Sequence, residues 1–179
     1  MVLALSAIVV SGVMYYYQSA SDNNKTQNTV SELMSIVSAV NGLYAGQQNY
    51  KGLNGAVLYN TSAVPENYKG AGNKITHPFG DEVKIGPVKN GEDGYYVLLK
   101  QIPKAACVNL ATMNFGTSMA GVGVGDIETA ISGQKASQTP PAGATATANR
   151  NTMYTGAFTP KQASDVCSKD YNDIGYQLK

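Results

Sequence analysis

The chain has 179 residues, with 13 Lys and Arg against 12 Asp and Glu, one His, two Cys and a formal net charge of +1. That length suits one domain with its own core, and the near-zero charge excludes a nucleic-acid binder, which needs a basic field. Charged residues are only 14% of the total, below the quarter or so usual for a soluble domain, and one His with two Cys leaves little room for a metal site.

The charges are unevenly placed. The first is Asp22, so residues 1–21 (MVLALSAIVVSGVMYYYQSAS) carry none, and within residues 1–17 only Ser6 and Ser11 are polar and only Gly12 breaks the run. As a helix those 17 residues would span about 25 Å, a little short of the roughly 30 Å hydrocarbon core of a bilayer. Tyr15, Tyr16 and Tyr17 then fall where an interfacial aromatic belt would lie. A secretory signal peptide fits poorly, because no Lys or Arg precedes Lys25 and tyrosines occupy the end of the apolar run. A buried core helix is the plain alternative; a membrane-embedded helix fits best. Beyond Lys25, residues Val30, Leu33, Met34, Val37, Val40 and Tyr44 recur at helical spacing, and Gly42 and Gly46 offer stop signals. No Pro interrupts residues 1–50. The expectation is one long helix, apolar all round in its first half and amphipathic in its second, where Val30, Leu33, Met34, Val37 and Val40 pack on a domain.

Residues 46–80 read as an irregular, Gly/Asn/Tyr-rich connection. Val83 and Ile85 alternate with Glu82 and Lys84, residues 90–94 (NGEDG) turn the chain, and residues 95–101 (YYVLLKQ) form the return strand. Pro103 opens a helix over KAACVNLATMN, residues 134–152 read as a polar surface loop, and Thr159-Pro160 caps a second short helix, KQASDVCS. The closing YNDIGYQLK alternates as a half-buried strand, with Ile174, Tyr176 and Leu178 inward. The fold class is α+β: a long N-terminal helix on an antiparallel sheet.

Candidate chemistry is sparse. Cys107 and Cys167 lie on the two short helices and read as a disulfide if the domain is exported, otherwise as two separate buried thiols. A Cys–His nucleophile would need His77, for which no orienting Asn or Asp can be assigned. Residues 116–125 (GTSMAGVGVG) lack the flanking strand, helix and Lys-Ser/Thr pair of a phosphate cradle and read as a flexible loop, with Asp126 and Glu128 solvated after it. No catalytic constellation emerges, so neither an enzyme nor a cofactor or metal site is expected.

The segments MVLAL…GVMYYYQSASDNNKTQN, VSELMS…AVNGLY, TSAVPENYK, KITHPFG, KAACVNLATMNFGTS and TPKQASDVC together resemble the type IV pilins, and within them the type IVb bundle-forming pilins of enteric bacteria. The resemblance covers most of residues 1–120, thins over 121–158 and returns near the second Cys. It implies a type IV pilin fold in three parts. Residues 1–45 would be the long helix, with 1–21 in membrane or filament core and 22–45 amphipathic. Residues 46–179 would be the globular domain, with 46–80 connecting and 103–179 a disulfide-bounded variable region. It implies pairing of Cys107 with Cys167, and a structural subunit that polymerises into a surface filament for adhesion, autoaggregation and microcolony formation. The implied partners are further copies of the chain, the inner membrane before assembly, a prepilin peptidase that cleaves and methylates, an assembly machine and a host receptor. In the family the mature subunit begins slightly upstream, with an apolar stretch carrying a Glu that pairs with a neighbour's terminal amine. Neither it nor a leader is in this sequence, which reads as one cut short upstream or as an atypical relative.

A helix apolar on all sides must exchange lipid for protein on leaving the membrane, and a bundle at a filament's centre provides that. The small residues Ala4, Ser6, Ala7, Ser11 and Gly12 would let such helices approach closely. Minor pilins and type II secretion pseudopilins share this plan, and a membrane-anchored periplasmic binding module is the rival from another class.

Overall fold

With no proline before Pro65, nothing in the backbone stops an N-terminal helix once it has nucleated. The computed structural model describes residues 2–143 and 145–179, with side chains from Ala20 onward. Helix α1 runs unbroken over Val2–Tyr44, which corresponds to about 65 Å at the standard rise. It passes through Gly42 and ends before Gly46, where the amide of Gln47 donates to the Tyr44 carbonyl at 2.9 Å. Short helix α2 (Gly55–Tyr59) follows, started by the Asn54 side chain accepting from the Val57 amide.

The rest of the chain builds one six-stranded sheet. Its strands are β1 (Ile75–Thr76), β2 (Glu82–Pro87), β3 (Tyr95–Pro103), β4 (Met119–Val124), β5 (Met153–Tyr154) and β6 (Tyr171–Leu178), in the order β1-β2-β3-β6-β4-β5. Every ladder is antiparallel. The hairpin expected around 90–94 joins β2 to β3 with Val83 opposite Leu99 and Ile85 opposite Val97. Helix α3 (Lys104–Ala111) lies between β3 and β4, α4 (Glu128–Gly133) between β4 and β5, and α5 (Pro160–Val166) between β5 and β6. Helix α5 starts as expected: Thr159 accepts from the Gln162 amide while the Gln162 side chain reaches back to the Thr159 amide.

Two apolar layers flank the sheet. On one side Leu33, Ile36, Val37 and Val40 of α1, with Ala106, Leu110 and Ala111 of α3, pack on Val97, Leu99, Ile174, Tyr176 and Leu178. On the other, Leu98 meets Ile127, Ile131, Ala136 and Met153 around α4.

Three expectations are corrected. Residues 116–125 are not a flexible loop, because 119–124 form the buried strand β4. Its glycines allow close packing: a Cβ at Gly121 would sit 2.7 Å from the Ala136 Cβ, and one at Gly123 2.7 Å from the Thr152 carbonyl oxygen. Strand β6 is not half-buried, because it is central and α4 covers its second face. Gln177 is therefore fully buried. Its side chain accepts from the Ala136 amide at 2.7 Å and donates to the Ile131 and Gln134 carbonyls at 2.8 Å each. Finally, Glu128 is not simply solvated: Lys84 and Lys100 reach its two oxygens at 2.5 and 3.3 Å, and Lys100 also meets Asp173 at 2.8 Å. This network ties α4 to the sheet and holds the Glu128 carboxyl below its usual range, chiefly through the Lys84 hydrogen bond.

The turn before β3 depends on Gly94. Its φ of +114° suits only glycine, and a Cβ there would collide with the carbonyl oxygen of Leu178 on the neighbouring strand. Gly94→Ala is expected to destabilise the domain by about 2–4 kcal/mol, since both strain and a backbone displacement are forced. A urea unfolding midpoint equal to the parent's would contradict this.

Candidate functional site

A rigid lobe and a helix face compose the surface available for function. The lobe is closed by the disulfide between Cys107 on α3 and Cys167 at the end of α5, 60 residues apart in sequence. Both cysteines are fully buried. Tyr176 lies within this junction; its hydroxyl donates to the Leu110 carbonyl and burial pushes its pKa up. Nearby Arg150, on the long 134–152 segment, donates to the Val166 carbonyl and to Asn172 Oδ1. The polar segment is thereby fixed on the lobe at its C-terminal end.

With Cys107 in a disulfide, the Cys–His alternative disappears. His77 is itself buried, its Nε2 2.6 Å from the Lys100 carbonyl and its Nδ1 accepting from the Phe79 amide. Burial is the main influence on this imidazole and lowers its pKa, which fits a structural neutral ring. Among the described residues no group of three or more His, Cys, Asp or Glu could hold a metal ion.

The amphipathic half of α1 docks with Leu33, Val37 and Val40 buried, as its spacing suggests, and Val30 partly so. Met34 is the correction: it is 54% exposed, and Ile36, absent from the expected stripe, is fully buried. At 100° per residue the docked face centres on 33, 36, 37 and 40, which leaves position 34 at its margin. Tyr44 stacks on Tyr50, which packs on Tyr95, and the Tyr95 hydroxyl donates to Asn41 Oδ1 at 3.2 Å. Exposed Met34 and Leu43 remain unpartnered on α1, and between the helix and residues 61–63 runs a groove of about 500 Å³ lined by Ser35, Ser38, Ala39 and Gly42. Ala4, Ala7, Ser11 and Gly12, expected to pack helix on helix, lie outside the residues whose side chains are described. Among the described residues no helix is long and apolar enough to cross a membrane.

Sequence patterning missed three polar groups on the docked face. Thr26 and Thr29 are buried and return their hydroxyls to the Asp22 and Lys25 carbonyls at 2.8 Å. Glu32 is only 4% exposed, and neither carboxylate oxygen has a hydrogen-bond partner. Burial alone raises its pKa from 4.5 to about 8. The residue sat in view inside VSELMS, but an acid between buried apolar positions gives no signal of its own burial.

A long helix whose second half covers one face of an antiparallel sheet, beside a disulfide-closed lobe, is the type IV pilin architecture. Solved structures with this arrangement include a type IVb pilin from Salmonella typhi (TM-score 0.57, 15% identity, 88% of this chain and 99% of that one). A second is TcpA, a type IV pilin from the Vibrio cholerae El Tor biotype (TM-score 0.53, 16% identity, 87% and 99%). At sequence level the Bundlin family model matches residues 18–178. The chain is 52% identical over 186 residues to the major structural subunit of bundle-forming pilus of Escherichia coli O127:H6 (strain E2348/69 / EPEC), spanning all of this chain and 90% of that one. It is 60% identical over 126 residues to the corresponding subunit of Escherichia coli O111:H-, covering 69% of this chain and 65% of the other. The chain belongs to the Bundlin family.

Proposed function

We propose that this chain is the major structural subunit of a type IVb pilus, a protein that polymerises through its own surfaces and performs no catalysis. The observation that carries the reading is the 52% identity over the whole chain to a major pilus subunit. The helix with an apolar first half and a docked second half supports it. Residues 1–21 form the filament-core half of the helix and 22–45 the half held by the globular domain of residues 46–179. Residues 46–80 connect the two, and the 103–179 region presents variable surface for neighbours, other pili and host cells. Before assembly the subunit waits in the inner membrane with its domain in the periplasm. There it meets the prepilin peptidase and then the assembly machine.

In this reading Ala4, Ala7, Ser11 and Gly12 pack helix against helix. The repeated contact is heterologous, so it propagates as a helical polymer and does not close into a ring. The test is negative-stain microscopy of pili sheared from cells expressing the natural gene. Thin bundling filaments that vanish on gene deletion support the proposal, and a membrane-bound monomer without filaments overturns it. Gly12→Leu is expected to disrupt filament packing while the domain stays folded, because a large side chain keeps close-packed helices apart. Wild-type filament yield with unchanged geometry would count against that assignment.

A further inference from the structure

Glu32 is an acid shut in by its own chain. Both carboxylate oxygens are inaccessible and without a hydrogen-bond partner, and Pro65, Asn67 and Tyr68 lie over them across α1. No charge compensates it. The titratable groups of the covering segment are Glu66, Tyr68 and Lys69; Glu66 and Lys69 pair with each other at 2.8 Å, and Lys69 also lies over the Tyr59 ring. On α1 the other charges are Lys25 and Asp22, about 10.5 and 15 Å away along the axis. In the sheet, Lys74 faces Glu82, while Lys84, Lys100 and Asp173 are engaged with one another and with Glu128 on the α4 side. Helix α3 brings only Lys104, exposed at its first residue. The core groups His77, Tyr95 and Tyr176 direct their polar atoms at Lys100, Asn41 and Leu110. Burial is accordingly the sole influence on the Glu32 carboxyl.

The cover is lightly held. Val64 anchors one end in the core. At the other, the Thr76 hydroxyl donates to the Tyr68 carbonyl at 3.1 Å and Lys69 bridges to Ile75. Between these anchors Pro65, Glu66 and Asn67 are exposed. Their backbone bonds are local: the Tyr68 amide donates to Pro65 at 3.0 Å and the Lys69 amide to Glu66 at 3.2 Å. Among the described residues no hydrogen bond joins residues 61–69 to α1. A lone 3₁₀ turn has no stability of its own once its packing is lost.

We propose that residues 65–68 form a charge-gated strap, closed over α1 while Glu32 is protonated and lifted when Glu32 ionises, so that water reaches the carboxylate. An ionised carboxyl in the closed site bears its full desolvation penalty, and the shortest route to donors is through the cover. Closed, the acid keeps its proton up to about pH 8; released into water it has its ordinary 4.5. Opening therefore takes over at a pH between those values, set by how tightly the strap packs. The closed strap divides the helix face into two recesses of about 310 and 500 Å³, with Ser35 lining both. Lifting it joins them, and α1 becomes open from Asn28 to Gly42.

The test is amide hydrogen exchange on the detergent-solubilised full chain, parent against Glu32→Gln, with protection referred to the unstructured-chain rate at each pH. At pH 5 the Tyr68 and Lys69 amides should be protected equally in both proteins. At pH 9 they should lose at least tenfold of that protection in the parent and keep it in the variant, while Val97 and Ile174 in the sheet stay protected in both. Equal protection of the strap amides in parent and variant at pH 9 would overturn the proposal. So would strap amides unprotected at both pH values, or loss of protection at Val97 together with them, which would mean that the whole domain opens. Should Glu32→Gln fail to fold, the parent alone decides: strap protection lost between pH 5 and pH 9 sustains the strap, and unchanged protection overturns it.

Discussion

Replacing Cys107 and Cys167 together by Ser is expected to lower the unfolding free energy by about 4 kcal/mol, from the chain entropy released when a loop of this length is no longer closed. The bond spans 60 residues, and within that loop lie β4, α4, β5 and the polar segment of residues 134–152. Strand β4 alone among these elements pairs with a strand outside the loop, β6, while β5 joins β4 through a short ladder, Val122–Tyr154 and Gly123–Met153, and a bridge from Tyr154 to Gln138. The two serines would also place hydroxyls at fully buried positions, which adds a desolvation cost. Urea unfolding of the detergent-solubilised subunit, followed by circular dichroism, measures the loss. A difference under about 1 kcal/mol would show that packing of α3 against α5, and not the covalent link, holds the lobe. In cells a loss of the expected size should cut the amount of subunit sharply, because marginally folded protein is cleared by proteases.

The second large effect concerns pH. Glu32 binds its proton more tightly in the folded chain, where its pKa is about 8, than at its ordinary 4.5 in the unfolded chain. Below about pH 4.5 both states are protonated and the residue costs nothing through this linkage. As pH rises the unfolded chain releases the proton first, so folded stability falls progressively until about pH 8 and is level above it. At roughly 1.4 kcal/mol for each tenfold change in proton affinity, the upper bound on the loss is about 5 kcal/mol. Glu32→Gln should abolish this part of the slope: parent and variant would match near pH 4 and the variant would be the more stable at pH 9. Parallel stability curves for the two across that range would refute the assignment.

How far the sequence reveals this molecule differs by element. The long helix was visible because no proline interrupts it and because its apolar residues recur with helical period. The β2–β3 hairpin was visible because an alternating strand runs into an Asn-Gly turn. Cap chemistry alone located the start of α5 at Thr159. What stayed hidden depended on tertiary neighbours. Strand β4 is so rich in glycine that it imitates a loop, and only the proximity of Ala136 and Thr152 explains the composition. Gln177 alternates like a surface residue, yet it anchors the far side of the sheet once β6 becomes central. Met34 is exposed and Ile36 buried because the docked face is rotated around the helix from the apolar stripe, toward Thr29, Glu32 and Ile36. Glu32 gives no clue to its burial, since local sequence contains nothing about the segment of residues 65–68 that covers it.

Strand β6 is the last element in the chain and yet lies between β3 and β4. Until it emerges, the synthesised chain holds two separate half-sheets, each with an open edge, and Ile174, Tyr176 and Leu178 are missing from the core. At about 5–20 residues per second the interval between completing β3 and completing β6 lasts several seconds. Productive folding is thus deferred to the end of synthesis. It also means that the disulfide can form in its native pairing only after Cys167 has followed Cys107, so oxidation acts on a nearly finished chain.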